Sequence, residues 1–148
     1  MKQGVEQKGG MSLDFSGVIH YAQHHDRIMA LYLVGSYGTG YHTPLSDIDF
    51  AVISRESLGF AEQAAILTDF MDILGRDDVD IIFLPGAGLV LQHKVLSEGT
   101  LLYNRDEVFL ADFVEYTIKY YCDFQIDLNQ FYRDYDLGLL EEYGHDRT

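Results

Sequence analysis

Cysteine is nearly absent from this sequence. Cys122 stands alone, so no internal disulfide can form and nothing in the chain calls for an oxidising compartment. Positive charge is scarce as well: 10 Lys and Arg face 24 Asp and Glu, a net charge of −14, with a pI of about 4.5. A chain this acidic is a poor binder of nucleic acid through its overall field, and an acidic membrane surface repels it. A cationic partner or a metal ion suits it better. Long apolar runs are missing too. The two longest, 28–35 and 81–91, fall short of the roughly 18 residues a membrane span needs, and Pro85 and two glycines break the second. The N-terminal MKQGVEQKGG lacks the apolar segment of a secretory signal. Residues 1–13 read as a disordered lead-in to a cytoplasmic protein that binds neither nucleic acid directly nor membrane.

What is present suffices for a core. Apolar residues make up 47% of the chain and aromatics 14%, which excludes disorder as a whole-chain state. A length of 148 residues suits a single domain over 14–148. Phe15, Val18, Ile19 and Ala22 recur at helical spacing after Asp14, a candidate N-cap, and predict a helix over 15–24. IMALYLVG (28–35) and DIDFAVI (47–53) read as strands, separated by the Gly- and Tyr-rich SYGTGYHTPLS. Phe60, Ala64, Leu67, Met71 and Leu74 mark one face of a second helix that Gly75 stops. VDIIFL (79–84) is a third strand closed by Pro85, 89–96 a short helix, and 100–103 an edge strand. From Asp106 to about Leu137 a long aromatic helix follows. The order predicts an α/β or α+β domain with a small mixed sheet flanked by helices. No internal repeat or low-complexity run interrupts it.

The chemistry concentrates on three aspartates. Alternation puts Asp47 and Asp49 on one face of the second strand and Ile48, Phe50 and Val52 on the other, which is core. Two carboxylates so close repel each other. A hard divalent cation relieves that conflict, because Mg²⁺ takes one or two carboxylates together with phosphate oxygens. Asp80 is the lone polar side chain in the apolar VDIIF strand. If its strand neighbours the second, it reaches the same site as metal ligand or as general base. Upstream, Gly35 lets backbone approach a ligand closely, and Ser36 adds a hydroxyl; exposed N–H groups at such a strand end suit phosphate. No P-loop is present, and no lysine lies between Arg27 and Lys94. Few cations therefore remain for a triphosphate, with Arg55, Arg76 and Arg105 as candidates.

Gly35-Ser36, ten residues, then Asp47-Ile48-Asp49 resembles the G-S-x10-D-x-D signature of the polymerase-β-like nucleotidyltransferase superfamily. The fuller string VGSYGTGYHTPLSDIDFAV is similar to its minimal nucleotidyltransferase branch, and VDIIFL matches that superfamily's third-carboxylate strand. LSEGTLLYNRDE also resembles the MntA-type antitoxins of HEPN/MNT toxin–antitoxin pairs. The resemblance covers roughly Asp14 to Phe124. It implies a polymerase-β-like fold, with Gly35 and Ser36 at the nucleotide phosphates and Asp47, Asp49 and Asp80 holding Mg²⁺. It implies AMP transfer from ATP to a tyrosine of a paired HEPN-type toxin, silencing it within a complex of the two. Many relatives carry an arginine in the glycine loop where this chain has Thr39. A small-molecule nucleotidyltransferase of the aminoglycoside type, or an antitoxin acting by binding alone, are the alternatives.

Other features are plainer. His20 and His24 lie one turn apart, but no third ligand follows at metal spacing, so surface histidines are expected. His42 falls in the glycine-rich loop and reads equally as loop residue or nucleotide contact. Cys122 reads as a packed small side chain. Phe109, Phe113, Tyr116, Tyr120, Phe124, Phe131 and Tyr135 step at mostly helical spacing. They suit either a helix packed on its own sheet or a partner surface with Tyr121, Tyr132 or Tyr143 outward. The stretch 105–148 holds eleven acidic and four basic side chains and ten of the twenty Phe and Tyr residues. Such a surface suits a basic, RNA-binding partner protein.

Overall fold

The computed structural model describes residues 13–35 and 47–143, with side chains as far as residue 134. Residues 1–12 of the lead-in and the glycine-rich loop, with Ser36, Thr39 and His42, lie outside the described residues, while Leu13 packs against the core. The elements run α1 (Ser16–Gln23), β1 (Ile28–Val34), β2 (Ile48–Ser54), α2 (Phe60–Leu74), β3 (Val79–Phe83), a 3-10 turn (Leu84–Gly86), α3 (Leu89–Glu98), β4 (Thr100–Asn104) and α4 (Glu107–Tyr143). The sheet order is β3-β2-β1-β4. β1 pairs antiparallel with β2 and β4, while β2 pairs parallel with β3. The sheet is therefore mixed, as the sequence pattern predicts, and β4 is an edge strand. No helix among the described residues is long and apolar enough to cross a membrane.

Helices cover both sheet faces. On one, α1 and α2 pack Phe15, Val18, Ile66 and Phe70 against Leu31, Leu33, Phe50 and Val52. Phe50 is the hub: it meets Phe15 edge-on at 5.8 Å and Phe70 edge-on at 5.2 Å between ring centroids. On the other face, Val95 of α3 and Leu110 of α4 cover Ala30, Tyr32, Ala51 and Ile53. All seven residues of β1 are buried, which explains its unbroken apolar run: a strand covered on both faces does not alternate.

The caps follow local chemistry. Asp14 accepts the Ser16 N–H at 2.9 Å from two residues ahead of the helix start, so the cap position falls on Phe15 rather than on Asp14. Gly75 closes α2 at φ +67°, with its N–H on the Met71 carbonyl at 2.8 Å. Asp106 opens α4 by accepting the N–H groups of Val108 and Phe109 at 3.0 and 3.2 Å. Phe60, expected on the packed face of α2, is 87% exposed, because the helix meets the core only from its second turn, at Ile66. Arg105 ties distant parts together. Its guanidinium donates to the carbonyls of Ala22, Gln23, His25 and Ile28 at 2.8–3.1 Å.

Among its described side chains, α4 packs against the domain as far as Tyr121. Leu110 and Thr117 are buried and Tyr121 stacks flat on His93, with ring centroids 3.6 Å apart. Beyond that point the same stripe continues through Phe124, Phe131 and Tyr132, all exposed. The aromatic helix thus splits between the two expected roles. Tyr121 is a packing residue rather than an outward one. Cys122 is exposed, not packed, because it sits off the buried stripe. His20 and His24 are exposed, as expected, with rings 4.2 Å apart.

Candidate functional site

The register brings the chemistry to one end of the sheet. Val34 pairs with Asp49 across β1–β2, and Asp49 pairs with Asp80 across β2–β3. Gly35, Asp49 and Asp80 therefore line up where β1 ends and β2 and β3 begin. Residues paired this way point to the same face. That face is the α3 side, shared with Ala51 and Ile53, so the aspartates mark where a buried layer opens to solvent. Asp47 stands one residue before β2 and is exposed, as is Asp80; Asp49 is half-buried. Asp80 also accepts the N–H of Ile81 at 2.9 Å.

Gly35 has φ +72°, the left-handed region that glycine tolerates. A Cβ there would stand 3.0 Å from Asp49 Oδ2. A side chain at this position would be strained and would crowd the carboxylate, which gives the glycine of the motif a physical reason.

Burial, the charge of Asp80 and the charge of Asp47, in that order, raise the Asp49 carboxyl above its ordinary value. Asp49 thus senses both of the other carboxylates. Among the described residues no group of three His, Cys, Asp or Glu forms a ready-made metal cage. The donor set nevertheless fits Mg²⁺, which retains waters and takes one or two carboxylates plus substrate phosphates. The raised Asp49 carries a stability consequence. As pH rises through the carboxylate range, the unfolded chain releases this proton first, so the fold loses stability toward neutral pH. Asp49→Asn is therefore expected to melt above the wild type at pH 7 in metal-free buffer. The gap should close as pH falls below the carboxylate range, and a thermal melt series would record it.

A cavity of about 420 Å³ opens beside Asp49, walled by Gly35, Val34, Val95, Lys94 and Glu98. Its size is in the small-molecule range. Lys94 and Glu98, one turn apart on α3, carry no motif, and only the docking of α3 across the sheet brings them here. The arginines considered for a triphosphate are committed elsewhere. Arg55 lies over the Phe109 ring, Arg76 pairs with Asp78, and Arg105 holds backbone carbonyls.

A mixed sheet with paired aspartates at the end where a glycine turn leaves the neighbouring strand is the arrangement of a nucleotidyltransferase fold. The family model for polymerase beta, nucleotidyltransferase matches residues 17–108, and the chain belongs to this family. It is 31% identical over 86 residues to the protein adenylyltransferase MntA of Shewanella oneidensis, covering 56% of this chain and 61% of that protein. The chain thus spans less than two thirds of the length of this curated relative. A chain of a toxin–antitoxin crystal structure with AMP-PNP superposes with a TM-score of 0.71 at 26% identity, covering 82% of this chain and 98% of that one. A chain from the tri-AMPylated Shewanella oneidensis HEPN toxin in complex with MNT antitoxin superposes at 0.59 with 25% identity, covering 76% and 86%.

Proposed function

We propose that this protein is a cytoplasmic, Mg²⁺-dependent adenylyltransferase of the antitoxin type, moving AMP from ATP to a tyrosine hydroxyl of a HEPN-type toxin. The observation that carries the reading is the Asp49–Asp80 pair beside a cavity that Gly35 keeps open. Likeness to an adenylyltransferase and to toxin–antitoxin complexes supports the same reading. Residues 14–148 act as one unit. Gly35 and Ser36 hold the nucleotide phosphates, and Asp47, Asp49 and Asp80 hold the ion. Bound there, Mg²⁺ supplies charge neutralisation for the phosphate oxygens and the departing pyrophosphate. In the transfer, the tyrosine oxygen bonds to the α-phosphorus as the bond to the β-phosphate oxygen breaks. Pyrophosphate leaves with the electron pair, and Asp80 takes the hydroxyl proton. The closing experiment is incubation with α-labelled ATP, Mg²⁺ and the HEPN-type partner, expected to place label on a partner tyrosine. Protection without label would favour an antitoxin acting by binding alone. Label on an aminoglycoside instead of the partner would favour small-molecule modification.

The partner docks on the free half of α4. Phe124, Phe131 and Tyr132 are exposed there with Asp123 and Asp127 beside them. Aromatic anchors supply affinity, and acidic neighbours raise the encounter rate with a basic, RNA-binding protein. Glu141 and Glu142, further along, extend the acidic run beyond the described side chains. Raising ionic strength is expected to slow association. Asp123→Lys with Asp127→Lys should slow it about tenfold at low salt without unfolding the domain. Stopped-flow association rates decide: a rate indifferent to salt and to the reversals would remove this surface from partner capture.

A further inference from the structure

The cavity beside Asp49 has an unusual charge balance for a site that takes a polyanion. Asp49 and Glu98 are both negative, and Lys94 is the only cation among the described residues that line it. No carboxylate among the described residues forms an ion pair with Lys94; the ion pairs found there are Arg27–Glu62 and Arg76–Asp78. The ammonium is exposed, on the turn of α3 that carries the buried Val95. Val95 fixes the backbone of that turn to the core, while the Lys94 side chain remains exposed. Arg55, Arg76 and Arg105 are held by Phe109, Asp78 and backbone carbonyls respectively.

We infer that Lys94 is the cationic phosphate contact of the cavity: its ammonium meets the β- and γ-phosphates of a bound nucleoside triphosphate. The inference rests on the nucleotidyltransferase reading. Asp49, which would hold the ion, lines one side of the cavity, and Lys94 stands on the helix that covers it. A triphosphate reaching from the aspartates toward α3 meets this cation after its α-phosphate. Lys94 then offsets the repulsion from Glu98, and it stays with the pyrophosphate when the bond between the α-phosphorus and the bridging oxygen breaks. A lysine is a compact point charge suited to such a contact. Against this stands the ordinary role of an exposed lysine, which keeps the surface soluble and touches no ligand.

Calorimetric titration of the full chain with Mg-ATP and with AMP separates the two. Lys94→Ala is expected to weaken ATP binding by about tenfold to a hundredfold, the range for one lost charge-assisted contact. AMP, which lacks the outer phosphates, should bind within about twofold of wild type. Lys94→Arg should restore most of the ATP affinity, since it keeps the charge. In transfer assays the KM for ATP should rise in Lys94→Ala. Unchanged ATP affinity in Lys94→Ala would overturn the inference. So would an equal loss of ATP and AMP, which would place the lysine at the nucleoside or in the fold. If the wild type binds ATP but transfers no label to any acceptor, the proposed activity fails while the binding comparison still decides Lys94. If the wild type binds no ATP, both fall.

Discussion

Asp47→Ala or Asp49→Ala is expected to lower AMP transfer by about a thousandfold or more, the equivalent of roughly 4 kcal/mol of transition-state stabilisation. The reason is charge. The reacting phosphates are anionic, described cations near the cavity are few, and in the proposed function the charge is offset by an ion that these carboxylates would hold. The fold should survive. Asp47 is exposed, and Asp49 carries a carboxyl that burial and its neighbours hold above its ordinary value. Removing either charge relieves repulsion rather than breaking a core contact. Labelled-ATP transfer measured beside circular dichroism and a thermal melt gives both halves of the result. Either variant retaining transfer within tenfold of wild type would remove the aspartate pair from the chemistry.

Phe50→Ala should be the most damaging single truncation for stability, at about 3–5 kcal/mol. The side chain is fully buried and is the ring that both Phe15 of the α1 side and Phe70 of α2 meet edge-on. Its loss leaves a cavity between both helices and the sheet. At this chain length the melting temperature should drop by roughly 10 °C. Phe131→Ala is the internal control. That ring is 61% exposed, and its removal should change stability by less than about 0.5 kcal/mol while speeding release of the partner. A Phe50→Ala protein melting with the wild type would mean that the α1–α2 layer does not depend on this hub.

Much of this was legible in the residues. Asp47, Asp49 and Asp80 each interrupt an apolar pattern, and interruptions of that kind are visible locally. Gly75 and Pro85 end α2 and β3 close to where their backbone chemistry requires. Strand boundaries moved by a residue, as at β2, which begins at Ile48 rather than Asp47. Other features depend on packing between segments far apart in the chain. Nothing near Lys94 or Glu98 indicates that α3 will bring them over the cavity. Nothing near Arg105 indicates that it will serve carbonyls about 80 residues upstream. The periodic aromatics of α4 look alike from Phe109 to Phe131. Face and position both decide which of them pack: Tyr116 and Tyr120 are exposed although they precede the His93–Tyr121 stack, and Phe124 and Phe131 are exposed beyond it. Cys122 differs from the sequence expectation for a reason of face: it follows Tyr121 directly and points away from the stripe that packs.

The Arg105 guanidinium has a further consequence for cooperativity. A helix end leaves carbonyls without intrahelical partners, and these normally turn to water or to nearby side chains. Here the end of α1 and the turn into β1 receive their donors from the residue that follows β4. The short α1, 8 residues long, therefore has its terminus completed only when the edge strand β4, beside β1, is in place. Fraying of that edge strand releases the donor, and fraying of α1 takes from the arginine its acceptors at Ala22 and Gln23. Local opening of either is linked to the other, so the first helix and the last strand form one cooperative unit although most of the chain lies between them.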